Sequence, residues 1–215
     1  MRDPLVRLDH LPPSTDLLTV HVGRLETGGL WTIDFRTIPH WINAGATQSG
    51  KSNLANALLV GLAPQPVALV GIDLKGGVEF TPYAPRLSAL ATTRAESVAL
   101  LDDLVGLMVD RMGLCCTAGA RNIWQLPPGV RPVPVVVLVD ELAELYLMAD
   151  KSEKDEITRT STALLRVAQL GRRSGSTCSA PVSGSAPTSA LASLRSGRSA
   201  RGGSATGSTI RRPRP

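Results

Sequence analysis

Eight consecutive residues, Gly45-Ala46-Thr47-Gln48-Ser49-Gly50-Lys51-Ser52, satisfy the pattern G-x-x-x-x-G-K-[ST] in full. The glycines let the backbone curl until successive amide N–H groups point at one cluster of phosphate oxygens, and the helix that follows adds its positive N-terminal end. Lys51 is suited to reach the β- and γ-phosphates of a nucleotide, and Ser52 to offer a hydroxyl to Mg²⁺. ATP and Mg²⁺ are therefore the expected cofactors. A chance glycine turn is the competing reading; the apolar strand pattern before it and the helical pattern after it weigh against chance.

A second group lies far along the chain. Val135-Val136-Val137-Leu138-Val139 is a continuous apolar run closed by Asp140 and Glu141. An acid ending a buried strand beside a phosphate loop is placed to hold Mg²⁺ through its water shell, the role expected of Asp140. Glu141, one residue on, points elsewhere and is the natural general base for an attacking water. The alternative is an acid pair that only caps the next helix.

These residues need a scaffold, and periodicity supplies it. Val20/Val22 and Trp31/Ile33/Phe35 alternate on either side of Gly28-Gly29, the signature of a β-hairpin. Residues 41–44 form a short strand leading into the glycine loop, and Leu54, Leu58 and Leu59 continue at helical spacing until Pro64 and Pro66. Residues 67–73 and 133–140 are apolar runs ending in acids, as in strands buried on both faces. One long helix is expected from about Ala95, capped by Thr92 or Thr93, and another from about Lys154 to Leu170. This strand–helix alternation means an α/β fold with a mostly parallel sheet flanked by helices.

Charge is unevenly distributed. Residues 172–215 hold eight arginines and no lysine or acid, a segment at +8; the other 171 residues carry 15 basic against 18 acidic side chains, or −3. The overall +5 is thus no sign of a nucleic-acid-binding body. The tail is dominated by Ser, Gly, Ala, Pro and Arg and cannot bury enough apolar surface to offset its ordering entropy, so disorder is expected there. With 3% aromatics, aliphatic residues must fill the core. No apolar run is long enough to span a membrane and no signal region opens the chain, which makes the cytoplasm the default location. Cys115, Cys116 and Cys178 read as ordinary thiols, and His10, His21 and His40 are not spaced as metal ligands. Trp124 reads as a packing residue rather than a base-stacking platform.

Four blocks in order resemble the FtsK/SpoIIIE family of DNA-pumping motor ATPases: Pro39-His40 with a strand and GATQSGKS, GIDLKGGVEF at 71–80, VVVLVDELAELY at 135–146, and LLRVAQLGRRSG at 164–175. The resemblance covers roughly residues 19–173 and is nearest the actinomycete plasmid-transfer branch. It implies a RecA-like core assembling as a homo-hexamer, with ATP hydrolysis driving double-stranded DNA through a central channel in chromosome partition or conjugation. A membrane-anchored partner is a further expectation of the resemblance, bringing the chain to the membrane indirectly. On the same basis Asp73, Lys75 and Glu79 fall near the phosphates or a subunit boundary, with a solvated strand-end turn as the alternative. Arg172 either reaches a neighbour's nucleotide or is a helix C-terminal cation favoured by the dipole.

Two departures from the family pattern stand out. Asn43 places an amide where the family has an aliphatic residue, a local cost unless it finds a partner. After Gly175 the family continues with an apolar strand ending in a polar sensor residue, whereas this chain reads STCSAPVSGSAPTSA. That strand is therefore expected to be missing, and an out-of-frame or truncated C-terminus is the expected cause. The anticipated organisation is a lead-in and hairpin at 1–38, an incomplete ATPase domain at 39–173, and a low-complexity basic tail at 174–215. Three functions follow as expectations: an ATP-driven DNA translocase domain, a protein-export ATPase of the same superfamily, or a catalytically inactive nucleotide-binding fragment.

Overall fold

A computed structural model describes residues 10–45, 49–146 and 154–183, the last seven by their backbone alone. The hairpin is present: β1 (Thr19–Arg24) pairs antiparallel with β2 (Leu30–Asp34), and the register shifts between His21 and Gly23. Its alternation buries Val20 and Ile33, with Phe35 just beyond β2, against α1 (Lys51–Leu62). Gln65 locks the two together. Its carboxamide oxygen accepts from the Leu18 N–H at 2.7 Å, while its nitrogen donates to the carbonyls of Thr19 and Gly61 at 2.9 and 3.1 Å.

The remaining strands are β3 (His40–Gly45), β4 (Ala68–Ile72), β5 (Ala89–Ala91), β6 (Val135–Val139) and β7 (Ser176–Ser183). They form one parallel sheet in the order β3-β7-β6-β4-β5. Residues of β6 alternate between two cores. Val135, Val137 and Val139 face a cluster with α2 (Arg94–Thr117) and α3 (Lys154–Ser174), while Val136 and Leu138 face α1 and the hairpin. Helices thus cover both faces, as parallel strands require. The cap of α2 is Thr93: its hydroxyl accepts from the Glu96 N–H, and the Glu96 carboxylate reaches back to the Thr93 N–H, a capping box.

One expectation needs correction. The strand held to be missing after the last helix is there as β7, lying between the P-loop strand β3 and the acid-ended strand β6. The boundary expected after residue 173 falls inside α3, which runs to Ser174, and the sheet continues through residue 183. Side-chain hydrophobicity was the wrong criterion for this segment. A central strand is held by backbone ladders on both sides, and leaving two neighbours unpaired would strand their buried polar groups. Pro181 is tolerated because pairing with β6 ends at Ser179, so there is no ladder on that side to interrupt. The start of β7 is anchored too: the buried Arg111 donates to the carbonyls of Ser174 and Val133 at 2.9 and 2.7 Å, and the Val135 N–H to Gly175 at 3.0 Å. Amide hydrogen exchange at residues 176–179 is expected to be as slow as in β6; exchange at unstructured-peptide rates would remove β7 from the sheet. The disorder expected of residues 184–215 lies outside the described residues.

Candidate functional site

Strands of a parallel sheet deliver their C-terminal ends to one edge, and the two chemical groups singled out in the sequence meet there. The chain leaves β3 at Gly45 and enters α1 at Lys51; Ala46, Thr47 and Gln48 lie outside the described residues. A Cβ on Gly45 would come within 2.3 Å of the Ser49 hydroxyl, so a larger residue at the base of the loop would force that side chain to turn away. Gly50 caps α1 in the left-handed region, at φ 92° and ψ 16°. No acid stands in the first turn of α1 to compete for its amide groups, and Ser52 lies half-buried there. The Lys51 ammonium donates to the Gly45 carbonyl at 3.0 Å, folded across the mouth of the loop.

Asp140 follows β6, and its N–H extends the ladder to the Ile72 carbonyl at 2.9 Å. Leu138 and Trp41 both pair with Ser179 of β7. Two residues further along, Asp140 and Asn43 are therefore level, and β3 and β6 lie two strand spacings apart, about 10 Å. Asp140 and Glu141 are each 6% exposed. Burial first, and then the Asp73 carboxylate, push the Asp140 carboxyl up to about 6, with Lys75 acting in the opposite direction. Among the described residues no group of three or more His, Cys, Asp or Glu could hold a metal unaided. A buried carboxylate disfavoured as an anion nevertheless fits a site where Mg²⁺ arrives with substrate phosphates and takes only one or two protein ligands.

Asp73, Lys75 and Glu79 are brought to Asp140 and Glu141 rather than to the loop at 45–52. Asp73 is fully buried and accepts from the backbone N–H groups of Lys75, Glu79 and Phe80 at 3.2, 2.9 and 3.1 Å. It organises the turn through Gly76 and Gly77, whose φ values are 78° and 75°. The Lys75 ammonium stands 3.5 Å from Glu141 Oε2, a contact absent from the sequence reading and invisible to spacing. Arg172 is not brought to this edge. It donates to the Thr37 carbonyl at 3.3 Å, just before β3 begins and so at the opposite end of the sheet. The preceding Gly171 has a steric reason: a Cβ there would meet the Ser176 carbonyl at 2.2 Å and the His40 ring at 2.9 Å. His40 thus opens β3 against α3. Trp124 is a packing residue, with the Arg36 and Arg131 guanidinium groups 4.8 and 5.8 Å from its ring centre.

Sequence reading also missed the residues flanking the loop. Asn43, half-exposed on β3, shares a cavity of about 360 Å³ with Trp31, Asn53 and Asn56. The helical spacing of Asn53 and Asn56 was the only signal, and nothing in it indicated the hairpin as the opposite wall.

Comparison with known proteins follows the same lines. The model of the FtsK/SpoIIIE family matches residues 13–130. A sporulation regulatory protein of Streptomyces azureus is 48% identical over 71% of this chain and 50% of its own length. The transfer protein TraSA of Streptomyces ambofaciens is 46% identical, over 74% and 41% respectively. The DNA translocase FtsK of Tropheryma whipplei is 32% identical over 78% of this chain and 24% of its own. The chain spans about half the length, or less, of these curated relatives. Among solved structures, the pCW3 conjugation coupling protein TcpA, a monomer with ATPgS, superposes with a TM-score of 0.72 at 28% identity, over 79% of this chain and 49% of that one. EssC (ATPases 2 and 3) from Geobacillus thermodenitrificans superposes at 0.63 with 18% identity, over 85% and 32%, a likeness of fold alone.

Proposed function

Because this chain belongs to the FtsK/SpoIIIE family, we propose that its loop at 45–52 binds ATP with Mg²⁺ and that hydrolysis moves double-stranded DNA, in conjugal plasmid transfer or chromosome partition. The observation that carries the proposal is the position of the phosphate loop and the Asp140–Glu141 pair, at the same edge of one sheet with a single strand between them. The likeness to the transfer protein TraSA and the DNA translocase FtsK supports the choice of DNA, and the ATPgS bound to TcpA that of the nucleotide.

Each residue has a distinct part. Amide groups at the head of α1 cradle the phosphates, with Gly45, Ala46, Thr47, Gln48, Ser49 and Gly50 forming the loop. The Lys51 ammonium exchanges the Gly45 carbonyl for phosphate oxygens. Ser52 and Asp140 would hold Mg²⁺, whose charge would offset that developing on the phosphates. Glu141 accepts a proton from the water attacking the γ-phosphate, and Lys75 fixes the direction of its carboxylate. Asp73 acts through the turn it organises, with Glu79 adding charge near Asp140. Arg172, remote from its own subunit's loop, is left the role of reaching a neighbouring subunit of a homo-hexamer.

The inactive-fragment reading rested on a missing strand, and β7 occupies that position. Among the described residues no helix is long and apolar enough to cross a membrane. A motor acting on DNA has its proposed setting in the cytoplasm, with membrane contact through an anchored partner. ATPase activity of the purified chain is expected to rise on adding duplex DNA and to lose that stimulation as salt increases. A rate indifferent to duplex DNA would reject DNA as the cargo and favour a protein-export motor.

A further inference from the structure

The charged groups around Glu141 are covered to different depths. Asp73 is fully buried, Asp140 and Glu141 are 6% exposed, and Glu79 is half-buried. Of these five groups only Lys75 is exposed, and its ammonium stands 3.5 Å from Glu141 Oε2. The side from which it arrives matters. Lys75 belongs to the turn after β4, and the sheet order β3-β7-β6-β4-β5 puts β4 on one side of β6. The phosphate loop follows β3, two strands away on the other side. A general base has to turn an oxygen toward the water in line with the γ-phosphate, and so toward β3. The ammonium draws that carboxylate toward β4 instead. Resting on the reading that Glu141 is the base and duplex DNA the cargo, we propose that Lys75 is a positioning residue that parks Glu141 off-line, and that a phosphodiester of the duplex frees the base by taking the ammonium for itself.

Only the Lys75 side chain needs to move. Its backbone is fixed by the Asp73 carboxylate, which accepts from the N–H groups of Lys75, Glu79 and Phe80. The Asp73 carbonyl accepts from the Gly77 N–H at 3.3 Å, and the Gly77 carbonyl from the Thr81 N–H at 2.9 Å. A Cβ on Gly77 would come within 2.9 Å of Thr81 Oγ1 and 3.0 Å of Thr92 Cγ2, so the turn is pressed against its neighbours there. Gly76 faces open space, and Val78 on the same turn is 73% exposed. Solvent therefore reaches the lysine over a braced turn, and an anion arriving from outside meets the ammonium before the buried acids beneath it.

The strength of the contact suits a brake that can be lifted. The pair is longer than a charge-assisted hydrogen bond, and one open to water shifts an equilibrium by about fivefold at most. Idle turnover is slowed, not abolished, and one close phosphate–ammonium contact is enough to undo the pair. In the step so released, the water oxygen bonds the γ-phosphorus while its proton passes to Glu141. The bond to the β–γ bridging oxygen breaks, and ADP leaves with that electron pair.

ATP turnover of the full chain with and without duplex DNA, beside equilibrium ATP binding, tests the assignment. Lys75→Met keeps the stem and removes the charge. It should raise the DNA-free rate by up to about fivefold, leave ATP affinity unchanged and shrink the stimulation by DNA to match. Lys75→Gln, a second neutral replacement, should do the same, and Lys75→Arg should restore most of the DNA dependence. Adding Lys75→Met to Glu141→Gln should change nothing further, because the brake acts only through the base. A DNA-free rate at or below wild type in both neutral variants would overturn the inference, as would a raised rate with undiminished stimulation. Wild type that turns over ATP yet ignores duplex DNA rejects the cargo reading, and the release step with it, before any variant is made.

Discussion

Replacing Glu141 by glutamine is expected to lower ATP turnover by about 10²- to 10⁴-fold, the usual contribution of a positioned general base, with ATP affinity nearly unchanged. The substitution keeps the shape and removes only the ability to take a proton. Glu141 is well placed for this role: 6% exposed, it lies two residues past the end of β6 at the phosphate edge and is held from one side by Lys75 at 3.5 Å. Lys75 is half-exposed, so the pair contributes little to stability and its effect is directional. Single-turnover hydrolysis with equilibrium ATP binding measured in parallel separates the outcomes. A glutamine variant that hydrolyses at the wild-type rate would remove Glu141 from the catalytic step.

Asp140→Asn is expected to act in opposite directions on catalysis and on folding. Asp140 has a folded-state pKa of about 6 against an ordinary 3.8. Because that pKa is raised, its contribution to stability is fully present below about 3.8 and is lost as pH rises through about 6. The difference corresponds to about 3 kcal/mol at pH 7 in the absence of metal and nucleotide. An uncharged asparagine escapes that penalty. Denaturant unfolding should show the variant more stable than wild type at pH 7.5, by up to about 3 kcal/mol, and similar to it near pH 4. Its Mg²⁺-dependent turnover should meanwhile collapse, because the proposed ligand is gone. A variant less stable than wild type at pH 7.5 would mean that the Asp140 anion is already stabilised by its surroundings. This is the trade expected of a site that stores unfavourable charge until a cation arrives.

The neighbouring Asp73 illustrates how far spacing alone can be read. Its place after an apolar strand is the same as that of Asp140, and both were noted from sequence. Only the folded chain separates them: one carboxylate is consumed by three backbone N–H groups of its own turn, while the other, buried beside it, rises in pKa. Lys75 was placed by resemblance near the phosphates or a subunit boundary, and spacing gave no sign of its contact with Glu141, 66 positions later.

From the order of residues alone came everything whose physics is local. The phosphate loop needs glycines at fixed offsets before a lysine and a serine. The hairpin needs period-2 apolarity around Gly28, and α2 needs the Thr93–Glu96 box; each is complete within a few residues. The alternation of apolar strands with helices was enough to establish a mostly parallel α/β sheet. What depended on the tertiary structure was everything that takes its energy from distant partners. β7 was unreadable because the two backbone ladders that hold it, to β3 and β6, leave no mark in its own sequence. The three-residue β5 is too short to announce itself and exists by pairing with β4. Arg172 was open between a neighbouring subunit's nucleotide and a helix C-terminal cation, and only the sheet shows that it lies at the opposite end from its own Gly45. The cavity between Trp31 and Asn56 arises only when a hairpin and a helix with no shared sequence signal are packed together, because burial of Val20, Ile33 and Phe35 against α1 is a contact no local pattern encodes.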